Sequence, residues 1–205
     1  ELDFYNEKTF VSLIGFMFLN TKIRGLSVPY HINFEEVNLR FYVKHHDNIQ
    51  WKRGTVFIKE IVPRPAISFL ANSLYKEKYS TMKMKHFHIE KADAIETCYE
   101  WKSKKQWNKL SASCLKKSQS PRVKSEEEFI AEHYWGYTKY KKDITYEYEV
   151  IHPRWEIFNA TEYNIDCDFA GIYGNEFSFL KDTIPSSIFM AKGSEVKIHG
   201  KKNIE

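Results

Sequence analysis

Residues 34–43 read F-E-E-V-N-L-R-F-Y-V, and this stretch decides how the chain is read. Its side chains alternate. Glu36, Asn38, Arg40 and Tyr42 point one way, and Val37, Leu39, Phe41 and Val43 point the other, which is the period of a strand. Val, Phe and Tyr also favour that conformation. The polar face carries a carboxylate, an amide, a guanidinium and a phenol in a row. Residues two apart on a strand face are about 7 Å apart, so these four groups could line one wall of a ligand-sized cavity. The same row could instead be a solvated surface strand, or a salt-bridged network that holds strand register.

Working outward, residues 53–62 form the next strand and make a hairpin with the first around the turn His45-His46-Asp47-Asn48. Pro63 and Pro65 end it, and Pro65 suits a helix first turn. Ile67, Leu70, Ala71 and Leu74 recur at helical spacing, which predicts a helix over residues 65–79 covering a sheet or closing a barrel end. Upstream, the apolar run 10–20 predicts a central strand, followed by a loop over residues 22–31. Downstream, 82–89, 94–101 and 107–115 alternate as antiparallel strands, with a lysine-rich hairpin loop at 102–106. Ser125-Glu126-Glu127-Glu128 is a capping-box pattern that opens a short helix to about His133. Residues 145–151 are a strand, His152-Pro153-Arg154 a break, 155–159 a further segment, 165–172 a further strand or short turn, and 187–191 with 196–199 a closing hairpin. The class is α+β and mostly antiparallel β, with about two covering helices in one domain spanning residues 1–205.

Aromatic residues make up 16% of the chain, which marks a folded, sheet-rich protein. A net charge of +4, from 31 basic and 27 acidic residues that are well mixed, excludes a strongly polyanion-binding composition. The densest basic segment is 102–109 with Lys116 and Lys117, too diffuse for an expected nucleic-acid partner. Cys98, Cys114 and Cys167 match no disulfide or metal framework and are read as reduced thiols of a cytoplasmic protein. Asn159-Ala160-Thr161 is a formal glycosylation sequon with nothing else pointing to secretion. The apolar run 10–19 is too short to span a bilayer, so no membrane association is expected. The chain begins at Glu1, which suggests that it lacks its native N-terminal segment.

No glycine-rich phosphate loop, Cys-x-x-Cys pair or His-Glu-x-x-His helix is present. His86 and His88 share a strand face but have no third ligand, so no metal or other cofactor is expected. Glu60, across the hairpin from Glu36, could pair with it and raise one pKa, and Arg40 could clamp a carboxylate through two hydrogen bonds. Tyr75 and Tyr79 could turn hydroxyls into the same space. His152, Trp155 and Tyr134 could supply aromatic walls and a titratable group. Ser12, Cys98 and Cys114 have no base placed to activate them.

These segments carry a resemblance. F-E-E-V-N-L-R-F-Y-V, R-G-T-V-F-I-K-E-I-V, E-H-Y-W-G-Y and I-H-P-R-W-E-I-F resemble the YqjF-like family of uncharacterised proteins, which carry a domain of unknown function. The element F-x-E-x-N-x-R-x-Y-V matches Phe34, Glu36, Asn38, Arg40, Tyr42 and Val43, and the likeness covers most of the chain. That family is grouped with proteins similar to acetoacetate decarboxylase. The resemblance therefore implies a curved antiparallel sheet closing into an acetoacetate-decarboxylase-like barrel or cone around a cavity. It also implies a Schiff-base lysine, but no decarboxylase motif surrounds Lys83 or Lys85, which lie in roughly the corresponding part of the chain.

Three functions remain open. The first is binding of a small anionic or carbonyl-containing organic molecule in an internal cavity lined by Glu36, Asn38, Arg40 and Tyr42. The second is a decarboxylase-like lyase acting on a small keto acid. The third is a non-catalytic structural or interaction protein, such as a homodimer joined through a sheet edge.

Overall fold

The computed structural model describes residues 1–22 and 31–204, so the loop expected over residues 22–31 lies almost wholly outside the described residues. In chain order the elements are β1 (Val11–Phe18), β2 (Phe34–His46), β3 (Trp51–Val62), α1 (Pro65–Leu74), β4 (Tyr79–Thr81), β5 (Lys83–Glu90), β6 (Ala94–Ser103) and β7 (Gln106–Gln119). There follow α2 (Glu126–Ala131), β8 (Trp135–Lys141), β9 (Ile144–Ile151), β10 (Ile157–Asp166), α3 (Phe169–Tyr173), a 3₁₀ segment (Asn175–Lys181), β11 (Phe189–Ala191) and β12 (Lys197–Ile204).

The strands form two sheets. One is seven-stranded, in the order β1-β2-β3-β8-β9-β12 with β4 also on β3. The other is five-stranded, in the order β11-β10-β7-β6-β5. The expected β2–β3 hairpin is present, with Val37 opposite Ile61 and Asn38 opposite Glu60. The meander β5–β6–β7 is antiparallel, as its alternation predicts.

The seven-stranded sheet curves into a half-barrel and does not close, which corrects the expected barrel. The reason lies along β3. It meets β8 through two parallel pairs, Gly54 with Trp135 and Thr55 with Gly136. Further along, Glu60–Val62 pair with β4 instead. The sheet thus splits beyond Thr55, and its outer strands β1 and β12 stay apart.

Other expectations are corrected too. β1 is an edge strand, not a central one. Its run is apolar because it is sandwiched between layers: Leu13 and Met17 join the core between the sheets, while Phe18 packs on the other side with Phe34 and Val62. Residues 165–172, expected as a further strand or short turn, divide: 165–166 end β10, and 169–173 form helix α3, whose Asp168 side chain accepts a hydrogen bond from the Gly171 amide. The expected closing hairpin does not form. β11 pairs with β10 in one sheet and β12 with β9 in the other, so the segment through Gly193 (φ 73°) passes from sheet to sheet. Helix α1 ends at Leu74 rather than Tyr79: Lys76 turns left-handed (φ 61°), and the Asn72 side chain bonds the backbone of Tyr79, where β4 begins.

The main core lies between the sheets. Val37, Leu39 and Ile61 meet Met84, Tyr99 and Trp101, with Phe169, Ile172 and Tyr173 closing one end. Gly15 lets the sheets approach, because any Cβ there would overlap the Tyr99 ring. The opposite face of β2 carries two apolar clusters. Phe34 and Val62 pack with Ile67 of α1, and Tyr42 packs with Phe129 and Ile130 of α2. Glu36, Asn38 and Arg40 lie on β2 between those two clusters.

Candidate functional site

Both faces of β2 are buried from Phe34 to Leu39, so the polar row is enclosed rather than solvated. Glu36 and Asn38 are each 1% exposed and Glu60 is 3% exposed. The Asn38 amide donates to Glu36 Oε1 at 2.9 Å, and the Tyr79 hydroxyl donates to Glu36 Oε2 at 2.9 Å. Strand register puts Glu60 beside Asn38 on one side and Tyr79 on the other. A β-bulge between Leu39 and Arg40 places Phe57, not Ile58, opposite Arg40. Such a bulge re-aims a side chain: Phe57 joins the cavity face while Ile58 packs into the core between the sheets.

A third carboxyl enters from the turn after α1. Glu77 accepts hydrogen bonds from Thr138 of β8 and, at 2.8 Å, from the Tyr148 hydroxyl of β9. Tyr148 can lie across the sheet because its register partner is Gly136, where a Cβ would overlap the phenol ring. Glu36, Glu60, Glu77, Tyr79 and Tyr148 form one buried acid corner where the sheet splits.

Burial dominates its electrostatics. Desolvation pushes Glu36 up to about 7, against the hydrogen bonds from Asn38 and Tyr79 and with further upward pressure from Glu77. Glu60 rises well above the usual carboxyl range through desolvation and then the charges of Glu36 and Glu77. Desolvation also raises Glu77, and it holds both tyrosine hydroxyls well above their ordinary value. Arg40 partly offsets the acids, lowering both Glu36 and Glu60.

Three buried polar atoms on this face have no hydrogen-bond partner among the described residues: Asn38 Oδ1, Arg40 Nε and Glu60 Oε2. They border a groove of about 3220 Å³, also lined by Phe57, Ile67, Leu70 and Tyr75. That volume is several times an ordinary ligand pocket, because it also runs past β1 to Tyr99 and Leu110 of the second sheet and along the segment 179–199. The acid corner is the enclosed part.

The structure thus brings together Glu36, Asn38, Arg40, Glu60 and Tyr79. Tyr42 borders the corner through Arg40, whose guanidinium carbon lies 5.6 Å from its ring centroid, but its ring packs on Phe129 and His133 and its hydroxyl donates to Ser12 at 2.7 Å. His152 stacks between Tyr134 and Trp155, and the Trp155 indole donates to Ser194, so this trio forms a separate aromatic stack. Glu77 and Tyr148 went unread in the sequence. Glu77 sits in K-E-K-Y and resembles a solvated turn acid, whereas Tyr148 follows the alternation of β9 and could have been placed inward. Among the described residues no cluster of His, Cys, Asp and Glu is arranged to hold a metal ion, and no helix is long and apolar enough to cross a membrane. Cys98, Cys114 and Cys167 are free and buried.

Fold and site together define an α+β protein with a curved half-barrel packed on a second sheet and a buried acid corner on its other face. The chain belongs to the DUF2071 family, described as an uncharacterized conserved protein, whose model matches residues 1–195. No curated protein matches it.

Proposed function

We propose that the protein binds a small organic molecule bearing a carboxylate or carbonyl group, at the corner formed by Glu36, Asn38, Arg40, Glu60 and Tyr79. One observation carries this reading: Arg40 Nε, Asn38 Oδ1 and Glu60 Oε2 are buried on one face without hydrogen-bond partners among the described residues. Each such orphan costs about 1–3 kcal/mol. Buried polar groups are as a rule paired, and a ligand oxygen at Arg40 would repay part of that cost.

A second reading is favoured by Glu36. A carboxyl held near pH 7 beside a tyrosine hydroxyl can give and take protons at neutral pH. This fits a lyase or other proton-transfer enzyme acting on a small keto acid, in keeping with the resemblance to acetoacetate decarboxylase. Among the described residues no lysine side chain hydrogen-bonds to Glu36, Glu60 or Tyr79, so this reading rests on the carboxyls.

Thermal unfolding with butanoate and with 2-oxobutanoate, in the wild type and in Arg40→Ala, tests the binding reading. At ligand tenfold above Kd the expected stabilisation is about 1.4 kcal/mol, or roughly 3–5 °C for a chain of this size, and it should vanish in Arg40→Ala. If no small acid shifts either protein, the structural reading replaces it.

A further inference from the structure

We infer that the ligand also carries a primary ammonium, so that the corner takes an aminocarboxylate rather than a simple acid. This rests on the binding reading above and names its ligand class. The orphan atoms differ in whether they donate or accept.

Arg40 Nε is a donor and calls for an acceptor, which a carboxylate supplies. The other two orphans are of the opposite kind. The Asn38 amide is oriented by its Nδ2–H bond to Glu36, which leaves Oδ1 as an acceptor. Glu60 Oε2 belongs to a carboxyl that burial keeps protonated, and it becomes a second full acceptor when a cation beside it favours ionisation. Register sets Asn38 and Glu60 side by side. An unpartnered amide oxygen beside carboxyls that a cation can ionise suits a group rich in N–H donors, and a bare carboxylate has none.

Charge points the same way. Glu36, Glu60 and Glu77 repel one another's ionised forms, and Arg40 offsets them only in part. A cation at Asn38 and Glu60 favours the ionised carboxyls, so its binding releases protons that burial otherwise holds there. The desolvation cost of an ammonium is acceptable where several acceptors surround it. Positions 38 and 40 are about 7 Å apart on one strand face, which sets the separation of the ligand's two ends and suits a chain such as 5-aminopentanoate.

The pH response separates this class from a simple acid. The groups that face the corner are Glu36 and Arg40 on β2, Glu60 on β3, Glu77 before β4, Tyr79 on β4 and Tyr148 on β9. Lys78 and Lys201 lie near Glu77, and His133 lies near Arg40. Raising pH through Glu36's value near 7 adds negative charge. That strengthens ammonium binding and weakens binding of a carboxylate without an amine.

Isothermal titration calorimetry of the full chain with 5-aminopentanoate, pentanoate and pentylamine, at pH 6 and pH 8, tests this. The expected result at pH 8 is that 5-aminopentanoate binds about tenfold or more tightly than pentanoate, the worth of a charge-assisted hydrogen bond. The preference should grow from pH 6 to pH 8 and collapse in Glu60→Gln, a near-isosteric change that removes a buried acid. If that variant does not fold, the wild-type pH profile decides alone. If pentanoate binds as tightly as 5-aminopentanoate and both are lost in Arg40→Ala, the amine inference falls while the binding reading stands. If neither acid binds, both fall. Pentylamine binding as tightly as 5-aminopentanoate, and unaffected by Arg40→Ala, also overturns the aminocarboxylate assignment.

Discussion

Taking Glu36 out of water beside two other carboxyls makes its proton harder to lose, with half-ionisation near pH 7 in the fold against 4.5 for a free glutamate side chain. Between those values the native state holds a proton that the unfolded chain has released. Stability is therefore greatest below the unfolded value and is lost as pH rises through the folded one. Glu60 and Glu77 shift the same way and steepen the loss. The protein should thus be less stable to urea at pH 8 than at pH 5, with Glu36 contributing of order 3 kcal/mol. Glu36→Gln should flatten the dependence, and an unchanged pH slope in that variant would show that Glu36 ionises freely in the fold. At this scale the sequence was informative for the β2 row and for Glu60, because strand alternation and a hairpin suffice to place them. It was silent on Glu77, whose inward position depends on Thr138 and Tyr148 arriving from strands about sixty to seventy residues away.

At the scale of elements, β8 and β9 reach the corner because Gly136 leaves room for Tyr148. Gly136→Ala should force the phenol off Glu77, with an overpacking cost of about 1–3 kcal/mol. Differential scanning calorimetry reads the loss, and the accompanying Tyr148→Phe variant should lose the hydrogen bond but keep the packing. A smaller change tests α2, whose Ser125 side chain accepts from the Glu128 amide at 3.2 Å as its capping box predicts. Ser125→Ala should cost about 1 kcal/mol in chemical denaturation. Capping, proline placement and alternation are local, so these elements were legible. The end of α1 was not: its apolar pattern ends at Leu74 but no local stop signal follows, and Asn72 with the pairing of β4 to β3 sets the boundary.

For the whole molecule, the two sheets share one core through Val37, Leu39 and Ile61. Leu39→Ala should cost about 2–5 kcal/mol. Unfolding of both sheets should remain a single transition whether followed by tryptophan fluorescence or by far-ultraviolet circular dichroism. Separate transitions would mean that the half-barrel and the five-stranded sheet are independent units. The same long-range packing explains the edge position of β1, whose apolar run signals burial between layers and not a place in mid-sheet.

Strand periodicity, proline and capping signals, and the polar row on β2 followed from the sequence alone, because each depends on neighbours within a few residues or across a tight hairpin. The splitting of β3 between β4 and β8, the half-barrel left open, and the meeting of Glu77 and Tyr148 with Glu36 and Glu60 belong to the tertiary structure. Those contacts join segments far apart in the chain, and their energies arise from burial and like-charge proximity that no local pattern encodes.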